Sequence, residues 1–248
     1  MKKIISLLYY TFFVLTGTVL LPLSLVIWAF TILFDKRLYI LHLYAQWWES
    51  FLFFIIPKWN ITIIGKEKIN NSKAVVFVSN HQSEFDIIVI SRLYAHFKWV
   101  SKSEVFKSPI IGWNMRLNKY IELKRGDRKS IIKMIKDSVR VLKNGSSIFI
   151  FPEGTRSKTG ALRNFSSGAF VIAKRAKVDI QPIVINGTKN IMEKGSWVIN
   201  FSTNTATVHV LDEIPYHKIK DMDSGDIAKM VKERIATQLE KQILSQEN

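Results

Sequence analysis

The 248-residue sequence has no cysteine, which excludes disulfide bonds, thiolate metal ligands, iron–sulfur clusters and a cysteine nucleophile. The patterns of several common enzyme classes are also missing. There is no Walker A glycine–lysine pattern, no G-x-G-x-x-G, no G-x-S-x-G elbow and no H-E-x-x-H. Nucleotide-cradle, serine-hydrolase and zinc-protease functions are therefore not supported. The composition, with 48% hydrophobic and 23% charged residues, is typical of a folded chain.

Acidic residues are scarce, and 36 Lys and Arg against 20 Asp and Glu leave a net charge of +16. The excess is local, because the segment from Lys98 to Lys177 holds 19 basic and 5 acidic residues, a local net charge of +14. Such a region favours an anionic membrane surface, a phosphorylated substrate or nucleic acid as partner, with a solvated basic face as the alternative. No nucleic-acid partner is expected, because no aromatic-interleaved basic stripe or reading motif accompanies the charge.

Charge is absent altogether from Ile4 to Phe34, a run of 31 residues. A bilayer needs only about 20 helical residues to cross, and Pro22 would kink or break a helix near the middle of this run. A tilted span and two short helices dipping into the membrane both remain open. A cleaved signal peptide is disfavoured, because the run is too long and no small-x-small cleavage site follows it.

A second apolar stretch covers Leu38 to Ile56. His42, Gln46 and Glu49 lie on one helical face of it, and the pair Trp47-Trp48 is typical of a headgroup-level belt. We expect a helix that lies in the membrane interface or packs on the first segment. Residues 1–57 are therefore predicted to be membrane-anchoring helices, and residues 58–248 the α/β domain that they anchor.

From Asn60 onward, short β-branched runs alternate with amphipathic stretches. This alternation predicts an α/β fold with a mixed, mainly parallel sheet covered by helices. The predicted strands are Ile61–Ile64, Ala74–Val78, Lys98–Val100, Tyr120–Leu123, Ser147–Phe151, Ile180–Ile185, Trp197–Phe201 and Thr205–Leu211. Helices are predicted over Asp127–Asn144, stopped by Gly145, and over a C-terminal segment with Ser224 as its N-cap.

One histidine of the five, His81, directly follows a predicted strand where a helix should begin. Reactive groups gather at the carboxyl ends of strands in open α/β sheets. Asp86 lies five residues on, so the first helical turn could place its carboxylate on one ring nitrogen and leave the other to accept a proton. Two other interpretations of this motif involve no catalysis. Ser83-x-x-Asp86 resembles a capping box, and His81 could be a core histidine whose hydrogen bonds are satisfied within the protein.

A second candidate site follows the strand that ends in Phe151. In Glu153-Gly154-Thr155-Arg156, the glycine lets backbone amides approach an anion, and the arginine can bind a phosphate with two hydrogen bonds. Lys158 and Arg163 add positive charge nearby. Taken alone, this motif is most often just a turn.

Both motifs, in this order behind an apolar segment, resemble the glycerophospholipid acyltransferases, most closely the 1-acylglycerol-3-phosphate acyltransferases. The resemblance runs over roughly Lys66 to Thr188 and is carried by four blocks. The blocks are Asn80–Asp86, Tyr120–Arg125, Phe151–Ser157 and Ile180–Ile185. Gln181 departs from the usual valine or isoleucine of the fourth block, and Glu122-Leu123-Lys124 departs from the usual order in the second.

The resemblance implies acyl transfer from acyl carrier protein or coenzyme A to the sn-2 hydroxyl of 1-acyl-glycerol-3-phosphate, making phosphatidic acid. It implies His81 as general base and Asp86 as its orienting partner. The residues expected to bind substrate are Glu153, Gly154, Thr155, Arg156, Arg125 and Lys102, with Lys102 or backbone amides at the oxyanion. No cofactor and no metal are expected.

Membrane lipids, the lysophosphatidic acid acceptor and the acyl donor are the expected partners. The expected location is a cell inner membrane with the catalytic domain facing the cytoplasm. Two rival functions remain: the same chemistry on another lysophospholipid, and a noncatalytic protein that binds anionic lipid.

Overall fold

Seven strands form one sheet in a computed structural model, which describes residues 1–56, 58–157, 161–202 and 204–247. The strands are β1 (Trp59–Ile64), β2 (Val76–Ser79), β3 (Phe97–Lys102), β4 (Ile121–Leu123), β5 (Ser147–Ile150), β6 (Ile180–Asn186) and β7 (Asn204–Val210). Their order across the sheet is β1-β7-β6-β2-β5-β3-β4. All neighbours are parallel except β6 and β7, so the predicted mixed, mainly parallel sheet is confirmed.

Helices cover both faces of the sheet. In the described residues they are α1 (Lys2–Thr31), α2 (Tyr39–Phe54), α3 (Phe85–Ser91), α4 (Ser103–Phe106), α5 (Ile111–Leu117), α6 (Arg128–Lys143), α7 (Gly168–Ala176), α8 (Tyr216–Ile219) and α9 (Ser224–Glu247). Helix α6 begins where predicted, because the Asp127 carboxylate accepts hydrogen bonds from the amides of Lys129 and Ser130. Short 3₁₀ turns cover Lys66–Lys68 and Thr188–Asn190.

Side-chain alternation along the strands creates two cores. On one face, Phe77, Phe97 and Phe149 pack with side chains of α1, α2, α3 and α5. On the other, Val76 and Ile148 pack with α6, α7, α8 and α9. Helices α1 and α6 therefore lie on opposite sides of the sheet.

Helix α1 is one continuous helix of 30 residues with Pro22 inside it, so the alternative of two short helices, one of the two left open by the sequence, is wrong. Tyr44 of α2 donates a hydrogen bond to the Leu20 carbonyl at 3.0 Å, close to the proline. A Cβ at Gly17 would lie 2.7 Å from Ile110, so the absence of a side chain lets α1 approach α2 and α5. The helix is long and apolar enough to cross a membrane, and only 11% of its most apolar window is buried.

Helix α2 packs on α1, as one of the two predicted arrangements requires. Trp48 stacks on Phe13 with ring centroids 5.3 Å apart and is 7% exposed, so its assignment to a headgroup belt is wrong. Trp47 is 48% exposed. The polar face of α2 points into the domain, where His42 contacts the Tyr120 hydroxyl at 2.7 Å.

Seven of the eight predicted strands overlap an observed strand, but Trp197–Phe201 is irregular. Its backbone is satisfied elsewhere: the Ile199 amide donates to the Ser6 hydroxyl of α1 at 2.9 Å, and the Asn200 amide donates to the Ile191 carbonyl at 2.8 Å. The apolar alternation of this segment serves contact with α1 and not a sheet.

Candidate active site

The carboxyl ends of β2 and β5 lie side by side, because these strands are parallel neighbours in the centre of the sheet. The segment after β2 carries His81, and the segment after β5 carries Pro152 to Arg156. A backbone hydrogen bond from the Ser157 amide to the His81 carbonyl, 3.0 Å long, joins the two segments. The two motifs singled out in the sequence therefore form one site.

His81 and Asp86 form the predicted pair. The distance from His81 Nδ1 to Asp86 Oδ2 is 2.7 Å, and the histidine side chain is 17% exposed while the carboxylate is fully buried. Since the carboxylate accepts, Nδ1 carries the proton and Nε2 is the nitrogen with a free lone pair. Nε2 has no hydrogen-bond partner among the described residues, so it is available to accept a proton.

The segment just before α3 holds the Asp86 carboxylate in one orientation. The amides of Gln82 and Ser83 donate to Oδ2 at 2.7 and 3.0 Å. The Thr188 hydroxyl, from the turn after β6, donates to Oδ1. Both carboxylate oxygens are thus occupied. Thr188 was not predicted as a site residue, because it lies outside the motifs that carry the predicted site residues.

An aromatic ring covers one face of the histidine. Phe151, at the end of the β5 run, stacks on the His81 ring with centroids 4.1 Å apart and an interplanar angle of 14°. Trp99 lies behind Phe151 with centroids 6.0 Å apart. Phe151 was predicted as the end of a strand and as the first residue of the third block, but not as a site residue, although an aromatic residue directly before Pro152 was the available signal. The stack fixes the plane of the imidazole and keeps water from one side of it.

Glu153 contacts backbone amides. Its Oε1 accepts from the His81 amide at 2.8 Å and its Oε2 accepts from the Arg163 amide at 3.1 Å. Burial raises the pKa of Glu153, and these two hydrogen bonds oppose the rise. The geometry gives Glu153 the role of positioning the His81 turn, and its contact with substrate stays a prediction.

Arg156 lies across the mouth of the site from α3. Its Nη2 is 3.1 Å from Glu84 Oε1, and the arginine side chain is 18% exposed against 65% for the glutamate. Gly154 has a φ of +69°, which a residue with a Cβ rarely adopts. The turn therefore depends on glycine to present the Thr155 and Arg156 backbone beside His81.

Lys102 and Arg125 lie on the same edge of the sheet but farther from the histidine. Lys102 ends β3, and Arg125 follows β4, two and three strand positions from β2. At about 4.8 Å per strand these positions are roughly 10 and 14 Å away. Both side chains are exposed. The structure brings them to the rim and not into contact with the pair, and Lys158 lies outside the described residues.

Comparison with known proteins identifies the family of the chain. The Acyltransferase family model matches residues 60–186, which run from β1 to the end of β6 and include His81, Asp86 and the Glu153–Arg156 turn. The chain belongs to the acyltransferase family. This family membership agrees with the resemblance that the four sequence blocks carry.

Curated acyltransferases align with this chain over a longer range than the motifs alone. A chloroplastic 1-acyl-sn-glycerol-3-phosphate acyltransferase of Arabidopsis thaliana is 39% identical over 208 residues, which is 83% of this chain and 57% of that protein. The 1-acyl-sn-glycerol-3-phosphate acyltransferase of Saccharomyces cerevisiae is 28% identical over 203 residues, 79% of this chain and 66% of that protein. The chain thus spans about half to two thirds of the length of these relatives.

A solved acyltransferase structure shows the same fold. The crystal structure of the 1-acyl-sn-glycerophosphate acyltransferase PlsC from Thermotoga maritima superposes with a TM-score of 0.77 and covers 97% of both chains at 24% sequence identity. The correspondence includes the N-terminal helices, since nearly the whole chain is covered.

Proposed function

We propose that the protein transfers a fatty acyl group from acyl carrier protein or coenzyme A to the sn-2 hydroxyl of 1-acyl-glycerol-3-phosphate, producing phosphatidic acid for phospholipid biosynthesis. The observation that carries the proposal is the His81–Asp86 pair, 2.7 Å apart beside Arg156. Family membership and the activity for which the relatives are named support the same reaction.

In the proposed reaction, His81 Nε2 takes the proton of the acceptor hydroxyl while the oxygen attacks the thioester carbonyl carbon. General-base catalysis of this kind is worth about 10² to 10⁴ in rate. Asp86 stabilises the imidazolium that forms. When the tetrahedral intermediate collapses, the carbon–sulfur bond breaks and the thiolate takes the proton back from His81. No covalent acyl-enzyme, cofactor or metal is required.

Arg156 is assigned to the glycerol phosphate, together with the backbone of Gly154 and Thr155. Its guanidinium is held by Glu84, an exposed carboxylate that a doubly charged phosphate can replace. Arg125 and Lys102 on the rim would add attraction for the same phosphate, with Lys102 also a candidate donor to the oxyanion. A hydrogen bond of 2.8 Å from the Lys194 ammonium to the Arg156 carbonyl holds the loop in place.

We assign the protein to a membrane, with the inner membrane and a cytoplasm-facing catalytic domain as the specific proposal. Helix α1 supports attachment, because Leu, Ile, Val and Phe dominate its exposed surface, whereas its buried residues are Ser6, Tyr9, Gly17, Ser24 and Thr31. A helix whose small and polar residues face the protein and whose apolar residues face outward suits lipid as its solvent.

The test is a thiol-release assay on the purified protein in lipid–detergent micelles, with lysophosphatidic acid and palmitoyl-coenzyme A or palmitoyl-carrier protein. Wild type, His81→Ala, Asp86→Asn and Arg156→Ala are compared with His217→Ala, which alters an exposed histidine on α8. We expect acceptor-dependent release at least about 10³-fold lower in His81→Ala, and unchanged release in His217→Ala.

The rival functions give different results in the same assay. If thiol release requires another lysolipid, the proposed acceptor is wrong but the proposed acyl transfer is kept. No release with any acceptor, combined with lipid binding that Arg156→Ala weakens and His81→Ala leaves intact, would overturn the proposal in favour of a binding protein. Full turnover in His81→Ala would remove the histidine from the base role.

A further inference from the structure

A row of cations runs along the exposed side of α6. Lys129, Lys133, Lys136, Arg140 and Lys143 are spaced by three or four residues and all are exposed. At 1.5 Å per residue the row is about 21 Å long. We call these five residues the α6 cation row.

Few acidic groups in the described part of the chain neutralise this row. Asp137 on the same helix pairs with Lys133 at 2.6 Å and Arg140 at 2.5 Å. Lys129, Lys136 and Lys143 make no salt bridge within the described residues. Ile132 lies within the row and is 58% exposed, so an apolar contact point sits among the charges.

The α6 cation row begins at the rim of the active site. Helix α6 follows β4 directly, and the amide of Lys124, the residue after β4, donates to the Ser130 hydroxyl of the first helical turn at 2.8 Å. The N-terminal end of the helix therefore lies at the carboxyl edge of the sheet, near Arg125. From there the row runs back along the helix layer, away from the site.

The row does not share a side of the protein with the lipid-facing helix. Met134 and Leu142, on the inner side of α6, belong to one core of the sheet, and Tyr9 of α1 belongs to the core on the opposite face. A bilayer around α1 therefore meets the other helix layer first. This arrangement favours a soluble partner for the α6 cation row over the anionic membrane surface.

We propose that the α6 cation row docks an acidic protein that carries the acyl chain as a thioester on a flexible arm. The inference rests on the proposed function and specifies the partner that supplies the donor. Charge complementarity steers such a partner to the rim, Ile132 supplies an apolar contact, and the arm reaches His81 along the edge of the sheet. Coenzyme A, by contrast, needs only the positive charges at the rim for binding, because its phosphates are attached directly to the arm that carries the thioester.

The test compares Lys129→Glu/Lys136→Glu with Lys218→Glu/Lys241→Glu. The second pair applies the same change of charge at exposed positions on α8 and α9. The measured quantity is the ratio of kcat/KM with palmitoyl-carrier protein to kcat/KM with palmitoyl-coenzyme A. We expect the ratio to fall about tenfold or more in the α6 variant, and to stay within about twofold of wild type in the control.

Binding of fluorescent palmitoyl-carrier protein is measured in parallel by anisotropy, so that the docking proposal survives a failure of the acyl-transfer proposal. Weaker binding by the α6 variant alone supports docking even if wild type releases no thiol. If the α6 variant changes neither the ratio of the two kcat/KM values nor the binding, the α6 cation row is only a solvated surface and the proposal is overturned. Weaker flotation on phosphatidylglycerol vesicles with an unchanged ratio would instead assign the row to the membrane.

Discussion

At the scale of single residues, Asp86 is held by more partners than a pairing with His81 requires. The Thr188 hydroxyl donates to Oδ1, the oxygen that the segment before α3 leaves open, and Thr188 is fully buried. The carboxylate thus cannot rotate without losing a hydrogen bond between two fully buried side chains. We infer that Thr188 is a positioning residue for the pair.

Thr188→Val keeps the shape of the side chain and removes the hydroxyl. A buried oxygen left without its donor costs about 1–3 kcal/mol, and if this cost raises the activation barrier it corresponds to a roughly 5- to 150-fold loss in kcat. We expect Thr188→Ser to retain most of kcat, and the KM for lysophosphatidic acid to change little in either variant. Steady-state thiol release measures both quantities, and equal kcat values for Val and Ser would contradict the positioning role.

The sequence predicted the His81–Asp86 contact because the two residues are only five positions apart at the start of α3, where the local chain geometry brings their side chains together. Thr188 lies 102 residues from Asp86, and only the pairing of β2 with β6 brings it to the site. Phe151 shows the same limit, since a ring that ends a strand reveals nothing about which side chain it will face. Contacts between residues that are close in sequence can be predicted from the sequence, whereas contacts between residues on different strands can be predicted only when the strand order is known.

At the scale of elements, the polar face of α2 was predicted correctly and its surroundings were not. His42, Gln46 and Glu49 do share a face, but that face is buried against the segment before β3, where the Gln46 amide donates to the Ala95 carbonyl at 3.0 Å. An amphipathic pattern shows that two sides of a helix differ. It does not show whether the polar side meets water, headgroups or a polar cluster inside the protein.

Lys98 on β3 is the charged member of that buried cluster. Its side chain is 4% exposed, and its ammonium has no hydrogen-bond partner among the described residues. The Tyr120 ring lies 5.9 Å from the ammonium. The pKa of Lys98 is lowered from 10.5 to about 7, mainly by burial; nearby Asp35 opposes the shift and Lys119 adds to it.

Lys98→Met should therefore stabilise the fold. Between pH 7 and 10.5 the unfolded chain binds a proton at Lys98 that the folded chain does not, so the free energy of unfolding of wild type rises with pH in this window. The gain of Lys98→Met is then largest at or below pH 7, about 4–5 kcal/mol, and shrinks to about 1 kcal/mol near pH 9.5.

Urea unfolding in detergent micelles at pH 6.5 and 9.5 measures this difference, with Lys107→Met as a control at an exposed lysine. The control should change the free energy of unfolding little at either pH. Destabilisation by Lys98→Met at both pH values would mean that the ammonium is better solvated than its burial indicates.

At the scale of the whole molecule, the two helix layers differ in chemistry. One layer presents the apolar outer surface of α1, and the other presents the cations of α6. The active-site edge of the sheet lies between them, where a lipid acceptor can arrive from one side and a soluble donor from the other. The sequence contained both features, but their separation on opposite faces depends on which helices cover which face of the sheet.

A single charge on each layer tests this asymmetry. Val19 on α1 is 72% exposed and Ile132 on α6 is 58% exposed, so replacing either with lysine disturbs little internal packing. A lysine in the apolar part of a membrane helix costs about 2.5–3.5 kcal/mol, so Val19→Lys should lower partitioning into phosphatidylcholine vesicles by about tenfold or more. Ile132→Lys should leave partitioning unchanged, because its layer does not meet the bilayer.

Uncharged phosphatidylcholine is required in this comparison, because an anionic vesicle would attract the added lysine on either layer. Flotation measures the bound fraction, and circular dichroism checks that each variant keeps its helices. Equal losses in the two variants would place both layers in lipid and leave no soluble face for a donor protein. A loss confined to Val19→Lys would place the lipid side at α1, so that the acceptor and an acidic donor protein approach His81 from opposite layers.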